Sequence, residues 1–278
     1  MLITIVGVGL LSYPRISHYL AELNGSRAIQ VYSEAVSQFS EEELEDALDE
    51  AKLYNENLTG TPVHDPFIEG TGMAMPEDYF RVLNVDSVMG YLEIPKIGVY
   101  LPIYHGTSEE VLVKGVGHLE GSTLPVGGED RHCVLTGHTG LIHARLFTDL
   151  IELEEGDMFY LHVLGETLAY KVDLIKVVEP QVSDDLKRTG KGDDFCTLLT
   201  CTPYGINSHR LLVRAARTEY IPEVYTAIET NSKSTIDALV TAAALVTIVV
   251  MEAIIFAVLF VLRKNRIQRR SYLHLRYV

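Results

Sequence analysis

Three side chains occupy positions from which they could build a nucleophilic site. Cys201 ends the run TLLTC and is followed by the turn-forming TPYG, and Arg210 opens the run RLLVRA nine residues later. His138 leaves a β-rich run into the loop GHTG. A thiolate is the reactive form of cysteine, an imidazole can set its protonation, and a guanidinium can hold the oxyanion that develops in acyl transfer. The residues therefore indicate acyl transfer from a cysteine nucleophile.

The histidine is the least specific of the three. The chain has 10 histidines, and for each of them a surface or hydrogen-bonded structural role is the alternative. His209 is the rival on sequence proximity, because it stands beside Arg210. Nucleophile and base are usually adjacent in space and not in sequence, so His138 is the preferred base.

The region that must position these residues has a β pattern. Residues 81–220 contain short runs rich in Val, Ile, Leu, Thr and Tyr, separated by Gly, Pro and charged residues. This pattern predicts an all-β barrel or sandwich with short helices in its connections. The predicted strands cover residues 91–94, 99–103, 132–136, 158–164, 168–177, 197–200 and 210–215.

The N-terminal part has a different pattern. Residues 14–58 are predicted to be helical, with a capping box formed by Ser40 and Glu43 and a solvated acidic face within residues 41–50. Residues 59–80 are rich in Pro and Gly and have no periodicity. A loop of this length is often a functional lid, although a plain linker is the alternative. At its centre Asp65, Pro66 and Phe67 place a carboxylate and a ring on either side of a rigid proline.

Both ends of the chain suggest a membrane. Residues 238–262 are apolar except for Glu252, long enough for a transmembrane helix, and are followed by a tail at 263–278 that carries +6. The positive-inside rule places that tail in the cytoplasm and the rest of the chain outside the cell. Residues 221–237 form a polar linker, and residues 1–13 are expected to be part of a signal-anchor whose start is truncated.

Charge and cysteine content exclude other classes. The chain of 278 residues has 23 basic and 38 acidic residues, giving a formal net charge of −15. This balance argues against nucleic acid as the main partner. Three cysteines are too few for a disulfide scaffold, and their odd number leaves at least one thiol unpaired within the chain.

Several segments together resemble one family. TLLTC with an arginine nine residues later, and the segment LTGH, match the sortase signature. The segments LEIPKIGVYLPIYHGT, GVGHLEGSTLPVGG, ARLFTDL and TCTPYGINSHRLLVRA resemble the class C, or pilus-assembling, sortases. The resemblance covers roughly residues 12–262.

The resemblance implies a fold and an activity. Sortases are membrane-bound extracellular cysteine transpeptidases of Gram-positive bacteria, built on an eight-stranded β-barrel. By this resemblance Cys201 attacks the Thr–Gly bond of an LPXTG-like sorting signal, His138 acts as acid and base, and Arg210 steadies the substrate and oxyanion. In class C the acceptor is a lysine of the next pilin, so an isopeptide bond forms. Neither a metal nor an organic cofactor is expected.

The resemblance also bears on the loop and the remaining thiols. Class C sortases cover the cleft with a lid that carries an Asp-Pro-aromatic motif, which predicts contacts of Asp65 with Arg210 and of the Phe67 ring with the Cys201 sulfur. Thr139 departs from the family, which often has Arg after the catalytic histidine. The relevant sortase strands are parallel neighbours, so Cys133 and Cys196 are expected to be close. A thiol pair is favoured over a strained disulfide.

Two other functions are weighed against this one. A sortase of another class would attach proteins to peptidoglycan, and the acceptor amine distinguishes it from a pilin polymerase. A scaffold that only binds sorting signals is the second alternative, although the joint presence of Cys201, His138 and Arg210 argues against it.

Overall fold

Eight strands close into a barrel in the order β1-β2-β3-β4-β7-β8-β6-β5. The computed structural model describes residues 2–58, 63–68, 75–180, 186, 192–222, 225 and 263. The strands are β1 Gly90–Ile94, β2 Val99–His105, β3 Val116–His118, β4 Arg131–Thr136, β5 Met158–Val163, β6 Glu166–Val178, β7 Asp194–Thr202 and β8 His209–Thr218. The helices are α1 Leu2–Val36, α2 Glu41–Asn57, α3 Glu77–Arg81 and α4 Glu109–Leu112, with 3-10 turns at Pro95–Ile97 and Thr148–Glu152.

The barrel interior is filled by side chains that alternate along each strand. Leu135 of β4 pairs in register with Leu198 of β7, which in turn pairs with Val213 of β8, and all three are fully buried. An eight-stranded barrel is just wide enough for such side chains to fill. Because successive residues of a strand face opposite sides, the residues next to these point to the outer face, where a second apolar cluster lies.

The predicted barrel is confirmed, with one strand missed by the sequence analysis. All seven predicted runs fall on observed strands, and only Leu164 extends past the end of its strand. The missing strand is β3, which has three residues and pairs with β2 in parallel and with β4 in antiparallel fashion. A run this short shows no periodicity. Its Gly117 lies so close to the Gly106 carbonyl that a Cβ atom would come within 2.4 Å of the oxygen.

The N-terminal helices differ in their bounds from the prediction. The helix predicted to begin at residue 14 begins at Leu2 and continues through Pro14, so the boundary proposed at residue 13 marks a change of hydropathy and not of backbone structure. α1 packs on the barrel through Tyr32, whose hydroxyl accepts a hydrogen bond of 2.7 Å from the Leu164 amide. No helix within the described residues is both long and apolar enough to cross a membrane. The predicted span at 238–262 lies outside the described residues.

α2 fixes the chain just before the region that covers the barrel. Its predicted capping box is confirmed, with reciprocal hydrogen bonds between Ser40 and Glu43. Near its other end, buried Asn55 donates from Nδ2 to the Leu124 carbonyl at 3.2 Å and accepts from the Leu124 amide at 2.7 Å. This pair of hydrogen bonds ties the end of α2 to the loop that precedes β4.

The loop predicted at residues 59–80 does not extend to residue 80, and its residues 59–62 and 69–74 lie outside the described residues. Residues 77–80 belong to α3, so the prediction of a loop there was wrong. Pro76 adopts the extended backbone of an N-cap residue, and the Tyr79 side chain is fully buried. Five residues are too few for helical periodicity to show, and the burial of Tyr79 depends on tertiary packing that the sequence does not display.

Candidate active site

Cys201 and Arg210 face each other across two neighbouring strands. Cys201 is the penultimate residue of β7, Arg210 is the second residue of β8, and the antiparallel register pairs them directly. Cys201 is three residues from the interior residue Leu198 of its strand, and Arg210 is three residues from the interior residue Val213. Because successive residues of a strand face opposite sides, both side chains lie on the outer face of the barrel. The short connection between the strands thus places a thiol and a guanidinium at the same rim.

His138 comes to this rim through the parallel pairing of β4 with β7. Thr136, the last residue of β4, pairs with Leu199; His138 lies two residues beyond it, past the end of the strand, and Cys201 lies two residues beyond Leu199 within β7. The backbone before the histidine is tied to β7, since the Gly137 amide donates to the Leu199 carbonyl at 3.1 Å and the Thr200 hydroxyl donates to the Gly137 carbonyl at 2.7 Å. Gly137 also permits a close approach of Phe147, whose ring a Cβ atom would meet at 2.8 Å.

Residues 63–68, here called the covering segment, lie over this rim. Asp65 accepts two hydrogen bonds from Nε of Arg210, at 2.8 and 3.1 Å, and the ion pair is almost fully buried. The Phe67 amide donates to the Asp65 carboxylate at 2.9 Å, which folds the segment around Pro66. Val63 joins the outer apolar cluster with Leu199 and Leu212 of the barrel.

The Phe67 ring occupies the space between the other candidate residues. Its centroid lies 5.6 Å from that of the His138 ring and 5.2 Å from the Arg210 guanidinium carbon. The second distance is typical of a cation–π contact. The expected contact of this ring with the Cys201 sulfur stays a prediction.

The guanidinium of Arg210 is held by the barrel as well as by the covering segment. Its Nη1 donates to the carbonyls of Asn207 and His209, at 3.2 and 3.1 Å. The two acceptors lie in the connection between β7 and β8 and at the first residue of β8, so these bonds fix the side chain independently of Asp65. A rigid cation beside the sulfur suits the stabilisation of a developing oxyanion.

Electrostatics keep Cys201 protonated while the segment covers it. Burial raises the pKa of Cys201 to about 11, although the Arg210 charge lowers it and the Asp65 charge raises it. The residue is 9% exposed. Departure of the covering segment would admit water and remove the Asp65 charge, and both changes favour the reactive thiolate.

Glu109, which the sequence analysis missed, contacts the candidate base. Its Oε2 lies 3.3 Å from Nε2 of His138. Glu109 is the first residue of α4, a helix of four residues whose position depends on the pairing of β2 with β3. No spacing in the sequence connects it with a histidine 29 residues later.

The other two cysteines lie in the barrel interior. Cys133 of β4 and Cys196 of β7 are register partners, and both are buried free thiols, as the sequence predicted. Burial and the neighbouring Cys133 raise the pKa of Cys196. Because they face the interior, they do not share the rim with Cys201. Among the described residues, no group of three or more His, Cys, Asp or Glu side chains could hold a metal ion.

Comparison with known proteins identifies the family of this chain. The sortase-domain family model matches residues 92–218, which contain Cys201, His138 and Arg210. Sortase C of Streptococcus pneumoniae, known from a crystal structure, is 47% identical in sequence to this chain. The two structures superpose with a TM-score of 0.66, and the match covers 70% of this chain and 97% of that one. The crystal structure of Streptococcus agalactiae sortase C1 is 46% identical, with a TM-score of 0.64, over 69% of this chain and 95% of that one.

A more distant relative is sortase D of Bacillus subtilis, which is 34% identical over 115 residues, or 41% of this chain. The match spans about half of that relative, 54% of its length. The chain belongs to the sortase family, and its likeness to the streptococcal structures places it in class C.

Proposed function

We propose that the protein is a cysteine transpeptidase that joins pilin subunits. The observation that carries this proposal is the direct pairing of Cys201 with Arg210 at the rim that His138 also reaches. The similar S. pneumoniae enzyme has pilin substrates. For this chain the substrate is a pilin that bears an LPXTG-like sorting signal, and the acceptor is a lysine of the next subunit.

The first half of the reaction forms a thioester. The Cys201 thiolate attacks the threonine carbonyl carbon of the sorting signal, and Arg210 stabilises the oxyanion that develops. The bond between threonine and glycine breaks, and His138 donates a proton to the departing glycine amine. This division of roles follows from the fixed guanidinium and the imidazole at one rim.

The second half transfers the acyl group to an amine. His138 accepts a proton from the acceptor lysine, whose nitrogen attacks the thioester carbon. The C–S bond breaks, Cys201 is released, and the product is an isopeptide bond. Repetition of both halves with successive pilins yields a polymer.

The covering segment acts in this proposal as a lid. Asp65 occupies the Nε donor of Arg210, and Phe67 fills the space beside His138, so the sorting signal can enter only after the segment has moved. The lid therefore keeps the nucleophile protonated and covered until substrate is present.

The proposed location is the plasma membrane of a Gram-positive bacterium. Residues 238–262 form the membrane anchor, the basic tail at 263–278 is cytoplasmic, and the barrel is extracellular. Residues 1–13 belong to the N-terminal membrane segment, and residues 221–237 link the barrel to the anchor. An extracellular barrel meets its pilin substrates on the outer face of the membrane.

Competition between two acceptors tests the proposal. The full chain is mixed with a pilin that carries both the sorting signal and lysines, and with a cell-wall peptide amine, and the products are sequenced by mass spectrometry. A Thr–Lys isopeptide between pilins is expected, and it should be absent with Cys201→Ala. Exclusive transfer to the cell-wall peptide would instead indicate a peptidoglycan-anchoring sortase. Polymer formed by Cys201→Ala would indicate a scaffold.

A further inference from the structure

Glu109 stands on the solvent side of the candidate base. Its carboxylate lies 3.3 Å from Nε2 of His138, and its side chain is 76% exposed against 18% for the histidine. A group that approaches His138 from solvent past α4 therefore meets Glu109 first. The acceptor of the proposed reaction must make such an approach, because the space beside His138 that Phe67 fills is the one that the sorting signal enters once the segment has moved.

The chemistry of the acceptor calls for a negative charge at this point. A lysine amine has a pKa of about 10.4, so it arrives at neutral pH as an ammonium that cannot attack a carbonyl. It needs an anion to hold it and a base to remove one proton. Glu109 and His138 provide these two groups within one hydrogen bond of each other.

Among the described residues, no lysine or arginine forms an ion pair with Glu109. Lys114, the basic residue nearest to it along the chain, places its Nζ over the Tyr104 ring at 4.6 Å. Arg145, which follows His138, forms an ion pair with Asp149. Thr139, directly after the histidine, is uncharged. The carboxylate is therefore available to a cation that comes from solution.

We infer that Glu109 binds the acceptor ammonium and delivers it to His138, an inference that rests on the proposed transfer to lysine. While Glu109 holds the ammonium, the ammonium transfers one proton to Nε2 of His138. The resulting amine attacks the thioester carbon, the C–N bond forms, and the C–S bond breaks. The second amine proton goes to the leaving Cys201 sulfur. Glu109 thus selects a cationic acceptor and contributes less to cleavage of the sorting signal.

The test compares a charged acceptor with an uncharged one. In the full chain, Glu109→Gln keeps a hydrogen-bonding side chain but removes the charge, and Glu110→Gln removes the neighbouring charge of α4 as the matched control. Transfer of a sorting-signal peptide is measured with a lysine-containing peptide and with hydroxylamine, which is uncharged at neutral pH. Cleavage of the peptide without any acceptor is measured in parallel.

For Glu109→Gln we expect kcat/KM for the lysine acceptor to fall about threefold to fivefold, the upper part of the range for one exposed charge pair. The loss should lie in KM for that acceptor, and Glu109→Asp should restore part of it. Reaction with hydroxylamine and acceptor-free cleavage should each fall by a smaller factor than the lysine reaction, and every rate of Glu110→Gln should stay unchanged. Equal losses with both acceptors would overturn the inference, because Glu109 would then act through His138. An unchanged KM for the lysine-containing peptide would also overturn it. If the unsubstituted chain did not cleave the sorting-signal peptide at all, the proposed function itself would be refuted.

Discussion

Both carboxylate oxygens of Asp65 accept a hydrogen bond from one nitrogen, Nε of Arg210, across 145 residues of sequence. Both side chains are only 7% exposed, so the pair is buried between the covering segment and the barrel. Removing one member of a buried pair leaves an uncompensated charge, which favours rearrangement of the segment that carries it. In the proposed function, the state of this ion pair decides whether Cys201 can be reached.

Breaking this contact should expose the nucleophile. With Asp65 and Phe67 both replaced by Ala, we expect Cys201 to react with a thiol reagent roughly tenfold faster or more at neutral pH, because each unit by which its pKa falls raises the thiolate fraction about tenfold. The rate is followed by intact mass spectrometry. Asp173→Ala is the control, since it removes the β6 carboxylate that pairs with Arg214, which lies on β8 as Arg210 does. Unchanged labelling of the double variant, or an equal rise in the control, would contradict the lid.

The pH dependence of this labelling should also shift. In the unsubstituted chain the thiol has a pKa raised to about 11, so the rate should keep rising with pH towards that value. The double variant lacks the Asp65 charge and admits water, and both changes lower the pKa of the thiol. Its rate should therefore level off at a lower pH. Coincident profiles would show that the covering segment does not control the protonation of Cys201.

The three cysteines should all titrate as thiols. Cys133 and Cys196 face each other in the barrel interior without a disulfide, and Cys201 is the third free thiol. Denatured, unreduced protein should therefore release three equivalents with a chromogenic thiol reagent. A single equivalent would mean that the interior pair is oxidised.

Asn55 should contribute to stability through its two hydrogen bonds to Leu124. Asn55→Ala leaves the buried amide and carbonyl of Leu124 without these partners, so we expect the free energy of unfolding to fall by about 1–3 kcal/mol. Chemical denaturation measures the change, and Asn57→Ala, an exposed asparagine of the same helix, is the control. Similar values for the two variants would refute the anchoring role.

The sequence predicted the strands and the candidate catalytic residues best, because both are encoded by residue types at short spacing. The strand pattern gave seven of the eight strands, and the family signature gave Cys201, His138 and Arg210. The Asp-Pro-Phe motif likewise predicted the contact of Asp65 with Arg210 through family resemblance.

The sequence was uninformative where tertiary contacts decide the structure. β3 is a strand only because two others flank it, and α3 forms around a Tyr79 side chain that the barrel buries. The contact of Glu109 with His138 joins the start of α4 to the loop after β4, and no local pattern relates the two. Such features depend on long-range packing, which a single sequence does not display.

The most direct test of the account is the mass of the enzyme after reaction with an LPXTG-like peptide. The full chain with Asp65 and Phe67 replaced by Ala is quenched in acid and analysed by intact and peptide mass spectrometry. We predict an adduct on Cys201 with the mass of the peptide up to its threonine, lost when Cys201→Ala is added. An adduct that persists without Cys201, or no adduct although Cys201 reacts readily with a thiol reagent, would contradict the assignment of Cys201 as the nucleophile.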